Sequence, residues 1–460
     1  MAGPKITVIG AGSYFFGKPA IHKMATSPVM AGGTLALVDT REDVLRTMMR
    51  LARRVFRHTG CGVKVIGSTN RRDVMADSDF IVLTFSDRNA HFRGIDTAIS
   101  AKHGIRMCSS DTIGPGGIFR ALREVPHAVA MARDAARLAP NAWVINFVNP
   151  TSVLGIALQR YAPEVRSFAL CDGHHEPYYT LGYARQLGIL PKDATELPPE
   201  VRSRFRVINA GVNHFPWLLE LSYDGKDLIP AFIRLMREAV RREKESPDAH
   251  SKAKYNRTYG MELYKVFGYW PENMGHTKEY VPYFQGYGVK PVKPEPIALF
   301  DAGKRAEQMA AAWQKTRQWA GGKLSVRNFL KEIGNDHATD IIENMWGGLG
   351  KPFFINSFNR GAVTNMPDDA FLELRCDIDM NGPRPQPVGD LPRGILGMEH
   401  LVLDTHELTA AAAVTGDRGL LKRAMLTDPI CNNIPDADAC VRDLLAAEKD
   451  VLPSYWYRKG

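Results

Sequence analysis

The chain lacks most features that would take it out of the ordinary soluble, globular class. It has only six cysteines in 460 residues (61, 108, 171, 376, 431 and 440), with no CxxC pair and no dense framework. They therefore read as reduced, mostly buried thiols of a cytoplasmic protein. No apolar stretch reaches the ~20 residues of a membrane span. The first residues run straight into a strand-like segment without a charged n-region or an apolar h-region. There is no internal repeat and no low-complexity tail. The net charge of +9 comes from 59 basic and 50 acidic residues. No Lys/Arg stripe interleaved with aromatics accompanies it, and the run Arg46, Arg50, Arg53, Arg54, Arg57 reads as a solvated helix face rather than a nucleic-acid site. Neither a membrane nor a nucleic acid is expected as a partner.

Hydrophobic residues make up 45% and charged residues 24%, the balance of a globular enzyme. At this length one core is seldom enough, so two packed lobes are expected, divided as 1–200 and 201–460. In the first, short apolar runs at 5–10, 34–39, 79–85, 143–147 and 167–170 alternate with helical patterns near 41–58, 90–104, 117–138 and 150–161. That alternation predicts an α/β fold, a Rossmann-type doubly wound parallel sheet with ligands at the strands' carboxyl ends. Past residue 200 the pattern loosens into an α+β lobe. Strands are expected at 204–209 and 218–222, and helices at 228–246, 302–318, 401–425 and 439–448. Gly/Pro-rich loops are expected at 286–297, 347–352 and 382–397.

Gly10-Ala-Gly12-Ser13 follows the first strand as a phosphate-cradling turn should, although the strict pattern's third glycine is replaced by Phe15 and the next is Gly17. Asp39, ending the second strand, supplies the carboxylate that accepts from a ribose diol and repels a 2′-phosphate, which favours NAD over NADP. Asp111-Thr-Ile-Gly114-Pro-Gly116-Gly117 puts one carboxyl beside glycines that lead into a helix. Asn146-Phe-Val-Asn149-Pro150 ends another strand. Asn149 there either addresses a substrate hydroxyl or caps the next helix. Cys171 and His214 each follow a strand-like run, as metal ligands would, but buried structural residues fit the same positions. The segment from Tyr255 to Tyr264 offers three phenols, which serve as bases only beside a cation or metal and otherwise pack.

Taken in order, these segments resemble glycoside hydrolase family 4, the NAD-dependent glycosidases related in fold to lactate and malate dehydrogenases. The likeness extends through Gly268–Tyr280, Asn359–Asn365, Cys376–Gly382 and Glu407–Arg418. It implies hydride transfer from sugar C3 to NAD, loss of the C2 proton, elimination at C1, addition of water and return of the hydride, an exception to the two-carboxylate scheme. Its implied cofactor contacts are Gly10, Gly12, Ser13, Tyr14, Phe15, Asp39, Thr84 and Asn146. Cys171 and His214 would hold a divalent metal, typically Mn²⁺. Asp111 would protonate the leaving group, given a raised pKa that burial supplies. Tyr259 would be the C2 base, with Tyr255 and Tyr264 open. Asn149, Arg88, His174 and Asn213 would meet the substrate.

Many members place histidine directly after the metal-binding cysteine, whereas this chain has Asp172. Arg88, His91 and Arg93 differ from the phospho-sugar pattern, and either hold a carboxylate or sulfonate, as in the related NAD-dependent sulfoquinovosidases, or are solvated. The substrate is expected to be an anionic or plain hexoside and the protein a homodimer or homotetramer. The rival readings are an NAD-dependent 2-hydroxy-acid dehydrogenase and a non-catalytic NAD sensor.

Overall fold

A computed structural model describes all residues except 1, 15, 248–249, 287–295, 432 and 459–460. The expectation at Phe15, and most of the expected loop 286–297, lie outside the described residues. Six strands form the parallel half of a nine-stranded sheet: β1 (Lys5–Ile9), β2 (Thr34–Val38), β3 (Lys64–Ser68), β4 (Phe80–Leu83), β5 (Trp143–Asn146) and β6 (Arg166–Ala169). Their order, β3-β2-β1-β4-β5-β6, reverses between β1 and β4. That reversal is the switch point at which such sheets open a ligand crevice. The inner strands read as unbroken apolar runs because helices cover both faces. These helices include α1 (Gly17–Thr26), α2 (Glu42–Thr59), α3 (Asn89–Lys102), α4 (Gly114–Leu138) and α5 (Thr151–Tyr161).

The second half of the chain builds a small antiparallel sheet from β7 (Phe205–Ala210), β8 (Trp217–Tyr223), β9 (Lys226–Asp227) and β10 (Trp270–Pro271). It then returns to the large sheet. β11 (Pro352–Phe358), β12 (Phe371–Asp379) and β13 (Gly382–Pro385) extend it beyond β6 by antiparallel pairing. The large sheet thus crosses the expected division at residue 200. The loops expected at 347–352 and 382–397 are corrected in part, since Pro352 opens β11, Gly382–Pro385 is a strand and Arg393 opens the helix Arg393–Thr415. Two prolines read as a loop signal, but β13 is the sheet's edge, where a missing N–H costs no ladder bond. The expected single helix 401–425 is two. Gly416, in the left-handed region, ends the first, and the Asp417 side chain caps the second by accepting from the Gly419 and Leu420 amides.

One backbone link joins the two sheets: the Glu373 amide of β12 donates to the Gly211 carbonyl just after β7, 2.8 Å away. It brings the turn after Gly211 up to the carboxyl ends of β5 and β6. The site forms there.

Candidate active site

At the switch point, backbone packing decides the shape of the first turn. A Cβ on Gly12 would lie 2.3 Å from Val44 Cγ1 and 2.9 Å from Asp39 Oδ2. The Gly12 amide donates to that Asp39 oxygen at 2.8 Å. A Cβ on Gly17 would meet the Ala11 carbonyl at 2.0 Å. Gly17 therefore permits the close helix–strand approach that the third glycine of the strict pattern provides. Thr84 Oγ1 ties the end of β4 to the Gly10 carbonyl at 2.9 Å, and the Ser13 amide closes the turn on the same carbonyl. The Tyr14 carbonyl accepts from Lys18, whose ammonium burial lowers to about 8. Asn146 is enclosed. Its amide bonds the Val148 and Thr151 carbonyls and its oxygen the Val148 amide, so it braces the 147–151 loop.

Asp111 lies on the next loop, just before α4. Arg93 Nη2 stands 3.4 Å and Arg120 Nη1 3.8 Å from Oδ2, all three groups being buried. Burial alone would raise this carboxyl, but the nearby Arg93 and Arg120 guanidiniums outweigh it and hold Asp111 well below the usual range. The raised value expected of a proton donor is thus corrected: α3 and α4 each aim a guanidinium at one carboxylate. Asn149 Nδ2 donates to Asp111 at 3.4 Å. Its side chain does not cap α5, because the N-cap is Pro150, and Asn149 Oδ1 instead accepts from Thr151.

Cys171 Sγ and His214 Nε2 stand 2.9 Å apart, both buried. His214 takes a left-handed backbone (φ 66°) at the tip of the turn after Gly211. Its other nitrogen faces Thr112 Oγ1 at 3.0 Å, and His276 stacks on its ring with centroids 3.8 Å apart. One ligand atom from each of Asp111, His214 and His276 lies within 4.8 Å of the others. Burial pushes both imidazoles well below 6.5, leaving neutral rings with a lone pair to give. Burial raises the Cys171 thiol well above its ordinary value, so a bound cation would have to displace its proton. Around them, His276 Nδ1, Asn213 Oδ1 and Glu279 Oε1 are buried with no hydrogen-bond partner. Orphaned polar atoms clustered about a mixed sulfur, nitrogen and oxygen donor set fit a divalent transition metal.

Two acidic side chains of the second half hold this turn. Glu373 accepts from Asn213 Nδ2 at 2.8 Å and from His174 at 2.5 Å. Despite burial, His174 keeps Glu373 ionised, at about 2. Burial opposes the charge on His174, but Glu373 prevails and raises the imidazole. His174, expected at the substrate, is thus a buried ion-pair partner. Glu399 accepts the Val212 amide at 2.6 Å. Tyr280 donates to the Asn213 carbonyl at 3.1 Å.

Tyr259 is 1% exposed in the core, beside the Phe284 ring and under the Lys278 ammonium. Tyr255, next to Lys254, is half-buried. Arg88 is exposed and pairs with Asp87 while stacking on Phe92, so it does not join Asp111. Asp172, directly after Cys171, is exposed, yet the protein around it displaces much of its solvent. That displacement raises its carboxyl to about 6 against the opposing pull of His175 and Lys252. A cavity of about 240 Å³ opens between residues 250–254 and the start of the helix Ala302–Gly321, walled by three cations, Lys254, Lys304 and Arg305, and by one acid, Asp301, whose carboxylate caps the helix by accepting from the Lys304 amide. Its Phe300 wall carries the Arg93 guanidinium 4.0 Å from the ring centroid, and Arg93 continues to Asp111.

His276 and Glu279 went unassigned in the sequence reading. Their i, i+3 spacing in the Gly268–Tyr280 stretch was the available signal, and it places His276 on the short helix Met274–Thr277 and Glu279 in the turn that follows.

Profiles of known families match both halves of the chain: family 4 glycosyl hydrolase over residues 5–180, and the family 4 glycosyl hydrolase C-terminal domain over 209–431. An α-galactosidase of Bacillus subtilis (strain 168) is 29% identical, covering 98% of this chain and 99% of its own. An α-galacturonidase of the same organism is 26% identical, covering 96% of each. Among solved structures, LplD from Bacillus subtilis superposes with a TM-score of 0.81 at 25% identity, covering 97% of this chain and all of its own. A 6-phospho-α-glucosidase from gut microorganisms, solved with NAD and Mn²⁺, shares the fold with a TM-score of 0.78 at 20% identity, covering 98% and 99%.

Proposed function

Because the chain belongs to family 4 of the glycosyl hydrolases, we propose that its site hydrolyses hexosides carrying an anionic substituent. Family membership makes it a glycosidase that uses NAD. The Gly12–Asp39 turn fits the dinucleotide, because a residue without Cβ lets the turn after β1 close tightly on Val44 and Asp39 at the sheet's carboxyl edge. Cys171 and His214, with Asp111 and His276 in reach, fit a divalent cation. When bound, the dinucleotide supplies hydride exchange at C3, which acidifies the C2 hydrogen, and the cation supplies Lewis-acid stabilisation of the resulting negative charge.

The chain's own groups do the rest. Asp111, kept anionic by Arg93 and Arg120, accepts hydroxyl hydrogens of the sugar, and Asn149 beside it fixes their direction. Half-buried Tyr255, rather than the enclosed Tyr259, takes the C2 proton. Asp172, exposed next to Cys171, delivers a proton to the departing oxygen at C1, the role first expected of Asp111. The Lys254–Lys304–Arg305 cavity receives the anionic group by charge-assisted hydrogen bonds. That cavity is the observation that carries the choice of an anionic substrate. All six cysteines are unpaired, which supports the cytoplasmic setting we infer. No helix among the described residues is long and apolar enough to cross a membrane. Exposed Val266, Tyr283 and Leu401 support the self-association we infer.

A panel of uronides, sulfonated, phosphorylated and neutral hexosides, assayed with NAD⁺ and with or without Mn²⁺, tests the reading. Anionic members should show the higher kcat/KM. Preference for a neutral galactoside would overturn the substrate class.

A further inference from the structure

The helix Ala302–Gly321 comes from the second half of the chain but lies across the crevice of the first. Its start touches α3, where a Cβ on Gly94 would meet Ala302 at 2.8 Å. Its end touches α2, where a Cβ on its capping Gly322 would meet the Arg54 guanidinium at 2.7 Å. Between these points it passes the switch point of β1 and β4. Arg305 stands 5.9 Å from the Tyr14 ring centroid. Two turns on, a Cβ on Gly12 would lie 3.4 Å from Trp313 Cζ2 and, as noted, 2.9 Å from Asp39 Oδ2. The edge of the Trp313 indole therefore borders both the turn and the carboxylate that address an adenosine ribose. The indole is half-buried and packs against the core.

We infer that Trp313 is a cofactor-contact residue whose indole walls the adenosine half of NAD. This rests on the NAD-binding reading above. An aromatic face at that point gains stacking and desolvation from an adenine without reading its edge. It also makes a helix of the substrate lobe part of the dinucleotide site. The cofactor is then enclosed between lobes, as suits one that is regenerated within each turnover and need not leave.

Fluorescence offers a readout independent of catalysis. Five of the seven tryptophans are buried, and half-buried Trp346 packs edge-on to Phe80 at 6.3 Å. Titrating the full chain, freed of nucleotide, with NAD⁺ should quench emission, and Trp313→Phe should abolish most of that quenching while Trp346→Phe keeps it. Trp313→Ala should raise the NAD⁺ Kd by roughly ten-fold or more. A Trp313→Ala Kd within about two-fold of wild type, or quenching retained in Trp313→Phe, would overturn the assignment while leaving NAD use intact. Failure of the wild type to bind NAD⁺ at all would remove the reading beneath it. Should Trp313→Ala not fold, the two phenylalanine variants decide.

Discussion

Glu373 gives the sharpest quantitative test, because one buried carboxylate serves both stability and the site. Its oxygens hold the His174 imidazolium and the Asn213 amide, and one faces the His214 backbone N–H at 3.4 Å. Moving a carboxyl from its ordinary 4.5 to about 2 corresponds to about 3 kcal/mol, at ~1.4 kcal/mol per pH unit. A lowered carboxylate contributes stability that is present above pH 4.5 and is lost as pH falls through about 2. The raised imidazolium of His174 contributes stability that is present below its ordinary 6.5 and is lost as pH rises through its elevated value. Glu373→Gln keeps the shape and one acceptor but removes the charge. Urea unfolding at a series of pH values should show the variant less stable by about 3 kcal/mol near pH 6. The gap should close toward pH 2, where wild-type Glu373 is itself protonated. The same substitution should weaken Mn²⁺ binding by about 10–100-fold, since the carboxylate orients the His214 turn. A gap that stays constant from pH 6 down to 3 would refute the argument.

Three other outcomes are expected. Gly12→Ala, whose methyl would sit 2.3 Å from Val44 Cγ1 and 2.9 Å from Asp39 Oδ2, should weaken NAD⁺ binding at least about ten-fold by equilibrium titration, because the branched Val44 side chain and the carboxylate that holds the turn must both shift. Cys171→Ser should preserve folding by circular dichroism yet lose most Mn²⁺-stimulated hydrolysis, through loss of the soft donor. Lys304→Ala should raise KM for anionic hexosides several-fold with little change in kcat, while Arg88→Ala should leave both nearly unaltered.

The parts of the fold that were readable from the chain were those whose signal is local. β1, β2, β4, β5 and β6 are short apolar runs because parallel inner strands are covered on both faces. β11 to β13 pair with one another as neighbours, and β12 even alternates apolar and polar residues, but their placement in the large sheet is decided by the distant β11–β6 pairing, and β13 is spelled Gly-Pro-Arg-Pro. The site divides in the same way. Cys171 and His214 were visible as strand-end residues, but their 2.9 Å approach depends on the Gly211–Glu373 bridge between sheets. The charge state of Asp111 could not be read at all, since it is set by arginines from two helices. Nor could the enclosure of Tyr259, which follows from how Phe284 and Lys278 fold over it. Asn146 sits where a cofactor contact was expected, yet the loop's own carbonyls occupy its amide.

Hydrolysis through a transient ketone leaves a signature that no two-carboxylate glycosidase and no simple dehydrogenase shares. The measurement is release of sugar from the preferred glycoside by enzyme stripped of nucleotide, before and after addition of NAD⁺, with NADH absorbance followed alongside. Release should be absent in the stripped enzyme and restored by NAD⁺, with no net NADH accumulating. Full-speed release without nucleotide, or NADH formed in proportion to sugar, would contradict the account.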